Sequence, residues 1–411
     1  MNDFTFPNHF VWGTATAAHQ VEGNNINSDN WIIEHLPGTI YAEPSGDACD
    51  HYHRYPSDIA LLAEIGFNAY RFSIEWARIE PEEGEFSYAS LEHYRRMLAT
   101  CHEHGLTPMV TFHHFTSPHW LLRLGGWLDK RTPERFARYC ERATQHLGDL
   151  ISLACTINEV NIASLLSRLL PFDVHKQVWW KSAALAFGVS TDRLGTFLYA
   201  TEPRAREIIM TAHRRAFEAI HAGPANIPVG LTIALQDIQH GEGGESIAAE
   251  YRREVADWYL EQVRQDDFVG VQNYGRIIFG PHGRIQPGEN VEKTQMGDEF
   301  YPEGLEGALR HAAQVTGIPI YVTENGLASI NDEQRLVYIQ RALGGVARCL
   351  ESGIDVRGYF YWSAFDNFEW SNGYLPRFGL IAVDRTTQQR TVKPSAYWLG
   401  SLARANKLQI E

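Results

Sequence analysis

Short apolar runs alternate along the chain with longer segments in which apolar residues recur every three or four positions. The short runs predict strands at Val11–Ala17, Phe67–Ser73, Thr107–His113, Ser152–Ile157, Pro228–Leu235, Phe268–Tyr274, Pro319–Thr323 and Arg357–Trp362. None alternates cleanly between polar and apolar, as expected of strands buried on both faces of a parallel sheet. The longer segments predict amphipathic helices. Leu91, Tyr94, Leu98 and Cys101 share one helical face. Phe136, Tyr139, Cys140, Ala143 and Leu147 share another, and Leu336, Ile339, Leu343 and Val346 a third. Pro56 and Gly66 read as the start and stop of one helix.

Eight buried strands joined by crossover helices predict an α/β fold, a (β/α)8 TIM barrel with its active site at the C-terminal ends of the strands. A doubly wound sheet has the same rhythm. Against it, no GxGxxG follows the first strand, and no GxxxxGK followed by Ser or Thr occurs. No Ser/Gly-rich linker, charge block or internal repeat interrupts the 411 residues. A single domain over 1–411 is therefore expected, its surplus length lying in loops after the strands.

Hydrophobic residues at 44% and charged residues at 21% are globular values. A net charge of −14 disfavours nucleic acid as a partner and otherwise serves solubility. The five cysteines are odd in number and form no CxxC, which argues against a disulfide framework and fits reduced thiols in a cytosol. Met1–Pro7 has neither the basic region nor the apolar core of a signal peptide. The longest uncharged stretch, Gly105–Leu122, carries three His and two Pro, so it is not read as a membrane span. A cytoplasmic location is expected, with neither nucleic acid nor membrane as partner. The oligomeric state is left open. His51/His53, His102/His104 and His113/His114/His119 are His-rich spots without an HExxH or facial-triad pattern, so no metal is expected.

In a barrel, chemistry belongs at the strand ends. These carry Arg71, His113-His114, Asn158-Glu159, Gln272-Asn273-Tyr274, Glu324-Asn325 and Trp362. Glu159 and Glu324 end strands on opposite sides of the barrel and can converge on one bond. Such a carboxylate pair suits acetal hydrolysis: one, protonated, donates to the leaving oxygen, and the other, ionised, attacks the anomeric carbon. Arg71, between Tyr70 and Phe72, is expected to point inward and to need an anionic partner there. His113 and His114 point to opposite faces of their strand, so at most one faces the mouth.

Several blocks in order resemble glycoside hydrolase family 1, the β-glucosidase family, over essentially the whole chain. They are Phe10–Gly23, Asp50–Tyr55, Gly66–Ser73, Thr156–Glu159, Tyr321–Gly326, and Trp362–Trp370 followed by Gly373-Tyr374 and Arg377–Leu380. The resemblance implies a retaining exo-β-glycosidase working by double displacement without a cofactor, on a small β-glycoside or short oligosaccharide. It implies Glu159 as acid/base and Glu324 as nucleophile. Asn158 would hold the 2-hydroxyl, and Arg71 and Tyr274 would contact Glu324. Gln20, His114 and Glu369 would bind sugar hydroxyls, with Trp362 as platform and Trp370 as indole donor.

The chain departs from the family pattern at His19 (often Tyr), Glu75 (commonly Ser), Phe115–Pro118 (a Trp-Asp segment), Val160 (Pro) and Gln272-Asn273 (Asn-Tyr). It is also short for the family, and 161–201 matches poorly. That region holds Leu169–Phe172, Trp179-Trp180 and Ala183–Phe187. It reads either as an apolar helix packed on the barrel or as an apolar aglycone wall that includes Trp179 and Trp180. Three other activities compete. A 6-phospho-β-glycosidase is disfavoured because Glu369 would repel a phosphate and no Lys-x-Tyr follows Ser371. A non-catalytic glycoside-binding protein is disfavoured because both carboxylates are kept. A predominantly transglycosylating enzyme stays open, because an apolar aglycone site can bind an alcohol in place of water.

Overall fold

The computed structural model describes residues 2–170 and 173–410. All eight predicted strands form, and they close on themselves. They are β1 (Val11–Thr16), β2 (Ala69–Ser73), β3 (Thr107–His113), β4 (Leu153–Ile157), β5 (Val229–Ala234), β6 (Phe268–Asn273), β7 (Ile320–Asn325) and β8 (Val356–Trp362). Each pairs in parallel with the next, and β8 pairs with β1, so no edge is left open.

Two apolar layers hold the barrel. Ala15, Ala69, Met109, Cys155, Phe268, Tyr321 and Phe360 fill its interior, small residues facing large ones. The larger cluster lies between the strands and the surrounding helices. The predicted stripes are there: Leu91, Tyr94, Leu98 and Cys101 are buried in the helix Tyr88–Glu103, and Phe136, Tyr139, Cys140, Ala143 and Leu147 in Thr132–Leu147. One boundary differs. The helix ending at Gly66 begins at His51, so Pro56 lies inside it rather than at its start. Gly66 does end it, at φ 122°, a conformation that favours glycine.

At the N-terminal end of the barrel, Asn2–Thr5 pairs antiparallel with Lys407–Ile410, bringing the two chain ends together. After β5 and β6 a small three-stranded sheet (Asp237–His240, Arg276–Gly280, Gly283–Ile285) stands outside the barrel. Among the described residues no helix is long and apolar enough to cross a membrane.

Candidate active site

The C-terminal ends of the strands surround a cavity of about 370 Å³ that both Glu159 and Glu324 line. Arg71, fully buried on β2, finds its anion there. Its Nη1 donates to Glu324 Oε1 at 2.7 Å and its Nη2 to Asn158 Oδ1 at 2.6 Å. Tyr274 donates to Glu324 Oε2 at 2.6 Å. Gln272 Nε2 donates both to Glu324 Oε1 (2.9 Å) and to Asn158 Oδ1 (2.8 Å). Both oxygens of Glu324 are thus occupied by donors that favour its ionised form.

Asn158 is oriented by the same contacts. Its oxygen accepts from Arg71, Gln272 and Thr232 (3.0 Å), while its buried Nδ2 has no partner among the described residues. A donor is therefore held without a partner on the residue next to Glu159. Glu159 follows at φ 43°, a left-handed conformation that costs energy outside glycine. Its amide donates to Thr232 Oγ1 at 2.8 Å and the next amide, of Val160, to Thr232 O at 3.1 Å, so β5 fixes this turn.

No donor among the described residues reaches the Glu159 carboxyl. Burial, then the like charge of Glu324, holds it well above the ordinary carboxylate range, against an opposing pull from Arg71. Burial also raises Glu324, but Arg71, Tyr274 and Gln272 oppose that rise. Within the pair the proton therefore rests on Glu159. Burial keeps the Tyr274 phenol protonated as a donor, its pKa well above the ordinary value.

Across the cavity lie His114, Trp362, Glu369 and Trp370. His114 lies near-parallel to Trp362 (centroids 5.7 Å apart, 20° between planes) and to Trp370 (6.4 Å, 15°). Burial, then the charge of Arg71, keeps its imidazole neutral. Burial and the charge of Glu324 push Glu369 up to about 8, with Gln20 and Trp362 donating against that shift. Gln20 Nε2 donates to Phe368 O (2.7 Å) and Glu369 Oε2 (3.3 Å), leaving its buried Oε1 unpartnered among the described residues. Gly326 brings β7 close to the β8 end: a Cβ there would lie 2.0 Å from the carbonyl oxygen of Trp362. Only glycine admits that approach.

All ten residues expected at the site converge on this mouth. His113 does not: it hydrogen-bonds Ser117 Oγ (3.0 Å) and packs among Trp127, Phe136 and Phe197, so the strand alternation holds. Two contributors were not foreseen. Gln272 is named at a strand end and as a departure from the family pattern, two residues before Tyr274, but nothing in the sequence gives it a role there. Thr232 carries no mark in the sequence.

Of the two readings of Trp179 and Trp180, the structure supports the packed helix and not the aglycone wall. Both are buried, 5% and 0% exposed, in the helix Val178–Phe187, and neither lines the cavity. They pack against Tyr199, and Trp180 Nε1 donates to Thr191 O at 3.1 Å. The cavity wall on this side is made instead by Ile162, Leu166, Leu198 and Tyr199. Ile162 and Leu166, four apart on the helix Ile162–Leu169, share one face. Pro171 and Phe172 lie outside the described residues.

A family model described as glycosyl hydrolase family 1 matches residues 2–273 and 263–408. Beta-glucosidase A of Thermotoga maritima is 30% identical over 464 aligned positions, covering 100% of both chains. Among solved structures, beta-glycosidase BGL167 superposes with a TM-score of 0.95 at 56% identity, covering 99% of this chain and 98% of its own. Beta-glucosidase 1317 follows at 0.91 and 45%, covering 96% and 98%.

Proposed function

The chain belongs to glycosyl hydrolase family 1 and is a glycoside hydrolase related to the β-glucosidases, and from that membership we propose that it is a retaining exo-β-glycosidase. The observation that carries this reading is the unlike surroundings of two like residues. Glu324 receives three donors and stays ionised, suited to attack the anomeric carbon. Glu159 keeps a proton and has no donor among the described residues, suited to protonate the leaving oxygen. Attack forms the glycosyl–Glu324 ester and expels the aglycone as an alcohol that takes the Glu159 proton. Glu159 then removes a proton from water, which attacks the anomeric carbon, releases the sugar and frees Glu324.

Asn158 Nδ2 is positioned as donor to the 2-hydroxyl. Gln20, His114, Glu369 and Trp370 supply the polar edge of the first sugar site, and Trp362 its apolar platform. Beyond that site Phe115, Ile162, Leu166, Leu198, Met296 and Phe378 leave an apolar wall, which favours apolar aglycones. A 6-phosphosugar is the poorer substrate, because Glu369 puts a carboxyl at the sugar edge where a phosphate needs a cation, and no Lys-x-Tyr follows Ser371.

Glu324→Ala tests the mechanism. It should lower turnover of p-nitrophenyl β-glycosides by more than about 10⁴-fold, the scale of nucleophile removal. Added azide should restore release and yield a glycosyl azide of inverted configuration. Activity that survives the substitution would sink the assignment.

A further inference from the structure

Trp370 stands on a short turn, Trp370–Asn372, at φ 48°, so no strand or long helix holds its ring in place. Residues 19–45 hold the turn and meet the indole, which His114 and Phe115 also approach, with ring centroids 6.4 and 5.2 Å away. The turn's backbone is pinned by Ala42 N to Ser371 O (3.0 Å) and by Tyr374 N to Glu43 Oε1 (3.0 Å). The indole is faced by His19, with ring centroids 5.7 Å apart and 3° between planes.

His19 itself cannot turn. It is 1% exposed, its Nε2 meets Glu34 Oε2 at 3.3 Å, and its Nδ1 meets Asn25 Nδ2 at 3.1 Å. Glu34 is held in turn, its other oxygen accepting from Ser45 Oγ at 2.5 Å. An apolar ring at position 19 would fill the space but strand the Glu34 oxygen and the Asn25 amide in the interior. Hydrogen bonds that lock a residue one step behind a binding side chain are how a site keeps its geometry.

We infer that His19 is a positioning residue for sugar recognition: held by Glu34 and Asn25, it sets the plane of Trp370 at the first sugar site. The inference rests on the reading of Trp370 as a sugar contact. His19 touches no substrate. It acts through the indole, so its effect belongs in KM and vanishes when the indole is gone.

A double-mutant cycle on p-nitrophenyl β-D-glucoside tests this. His19→Phe should raise KM about tenfold and leave kcat within about twofold, because a binding contact rather than a reacting group is disturbed. His19→Gln, which keeps one hydrogen bond, should fall between. Trp370→Phe should raise KM at least as far, and the double variant no further than Trp370→Phe alone. Independent, additive increases would overturn the inference. An unchanged KM in Trp370→Phe would overturn the reading of Trp370, and the inference with it. If His19→Phe does not fold, Glu34→Gln enters the same cycle with the same expectation.

Discussion

Glu159 and Glu324 are the same residue type in the same cavity, and only their neighbours give them different chemistry. Turnover on the proposed mechanism needs Glu324 ionised and Glu159 protonated. Activity should therefore fall as pH drops through the titration of Glu324, and fall again as pH rises through that of Glu159. Burial lifts both groups, so both limbs of kcat/KM should lie above those of ordinary carboxylates. Glu159→Gln should abolish the alkaline limb, and a pH–rate profile reads this directly. Gln272→Leu removes one donor from Glu324 and leaves Asn158 Oδ1 one partner short. It should lower kcat about tenfold, the scale of one lost charge-assisted hydrogen bond. It should also move the acid limb to higher pH, since losing a donor favours the protonated carboxyl. An acid limb that stays in place would show that Gln272 does not tune Glu324. At this scale the reactive groups were readable because each ends an apolar strand. Thr232 was not, because a threonine inside a buried strand looks like any other β-branched residue until its partner is known.

Among the elements, the stretch after β4 was the hardest to read. Its apolar residues supported both a packed helix and a substrate wall, and the structure divides the two roles between neighbouring helices. Val178–Phe187 buries Trp179 and Trp180, while Ile162–Leu169 turns Ile162 and Leu166 to the cavity. Trp180→Ala should cost about 3–5 kcal/mol in denaturant unfolding, the range for a fully buried aromatic. It should leave the ratio of aryl glucoside to cellobiose hydrolysis unchanged. Leu198→Ser should do the reverse. It should lower kcat/KM for aryl glucosides about tenfold relative to cellobiose, as expected for a few methylenes lost from an apolar pocket. Equal losses on both substrates would remove the aglycone role from this wall. Hydrophobicity showed that these residues avoid water, but not whether protein or ligand excludes it.

As a whole molecule, the barrel keeps stability and chemistry at opposite ends. At the N-terminal end Asn406 accepts from Trp12 Nε1 (2.9 Å) and donates to Phe6 O (2.8 Å), tying the last helix to the first strand. Asn406→Ala should therefore lower stability by about 2–3 kcal/mol, as its side-chain hydrogen bonds to Trp12, Phe6 and Pro7 are lost, while kcat/KM stays at the wild-type value. If residues 1–411 form one domain, as we propose, urea unfolding followed by far-UV circular dichroism and by activity should give coincident transitions. An activity loss well before the spectroscopic one would argue against it. The order of residues already dictated the eight strands, the stripes of their helices and the carboxylates at two strand ends. Those features rest on periodicity and on neighbours within a few positions. Tertiary structure alone decided that Gln272 and Thr232 brace the site, that Tyr199 rather than Trp179 and Trp180 lines the cavity, and that His19 faces Trp370. Those contacts join segments far apart in the chain, and no local pattern records which buried side chain will meet which.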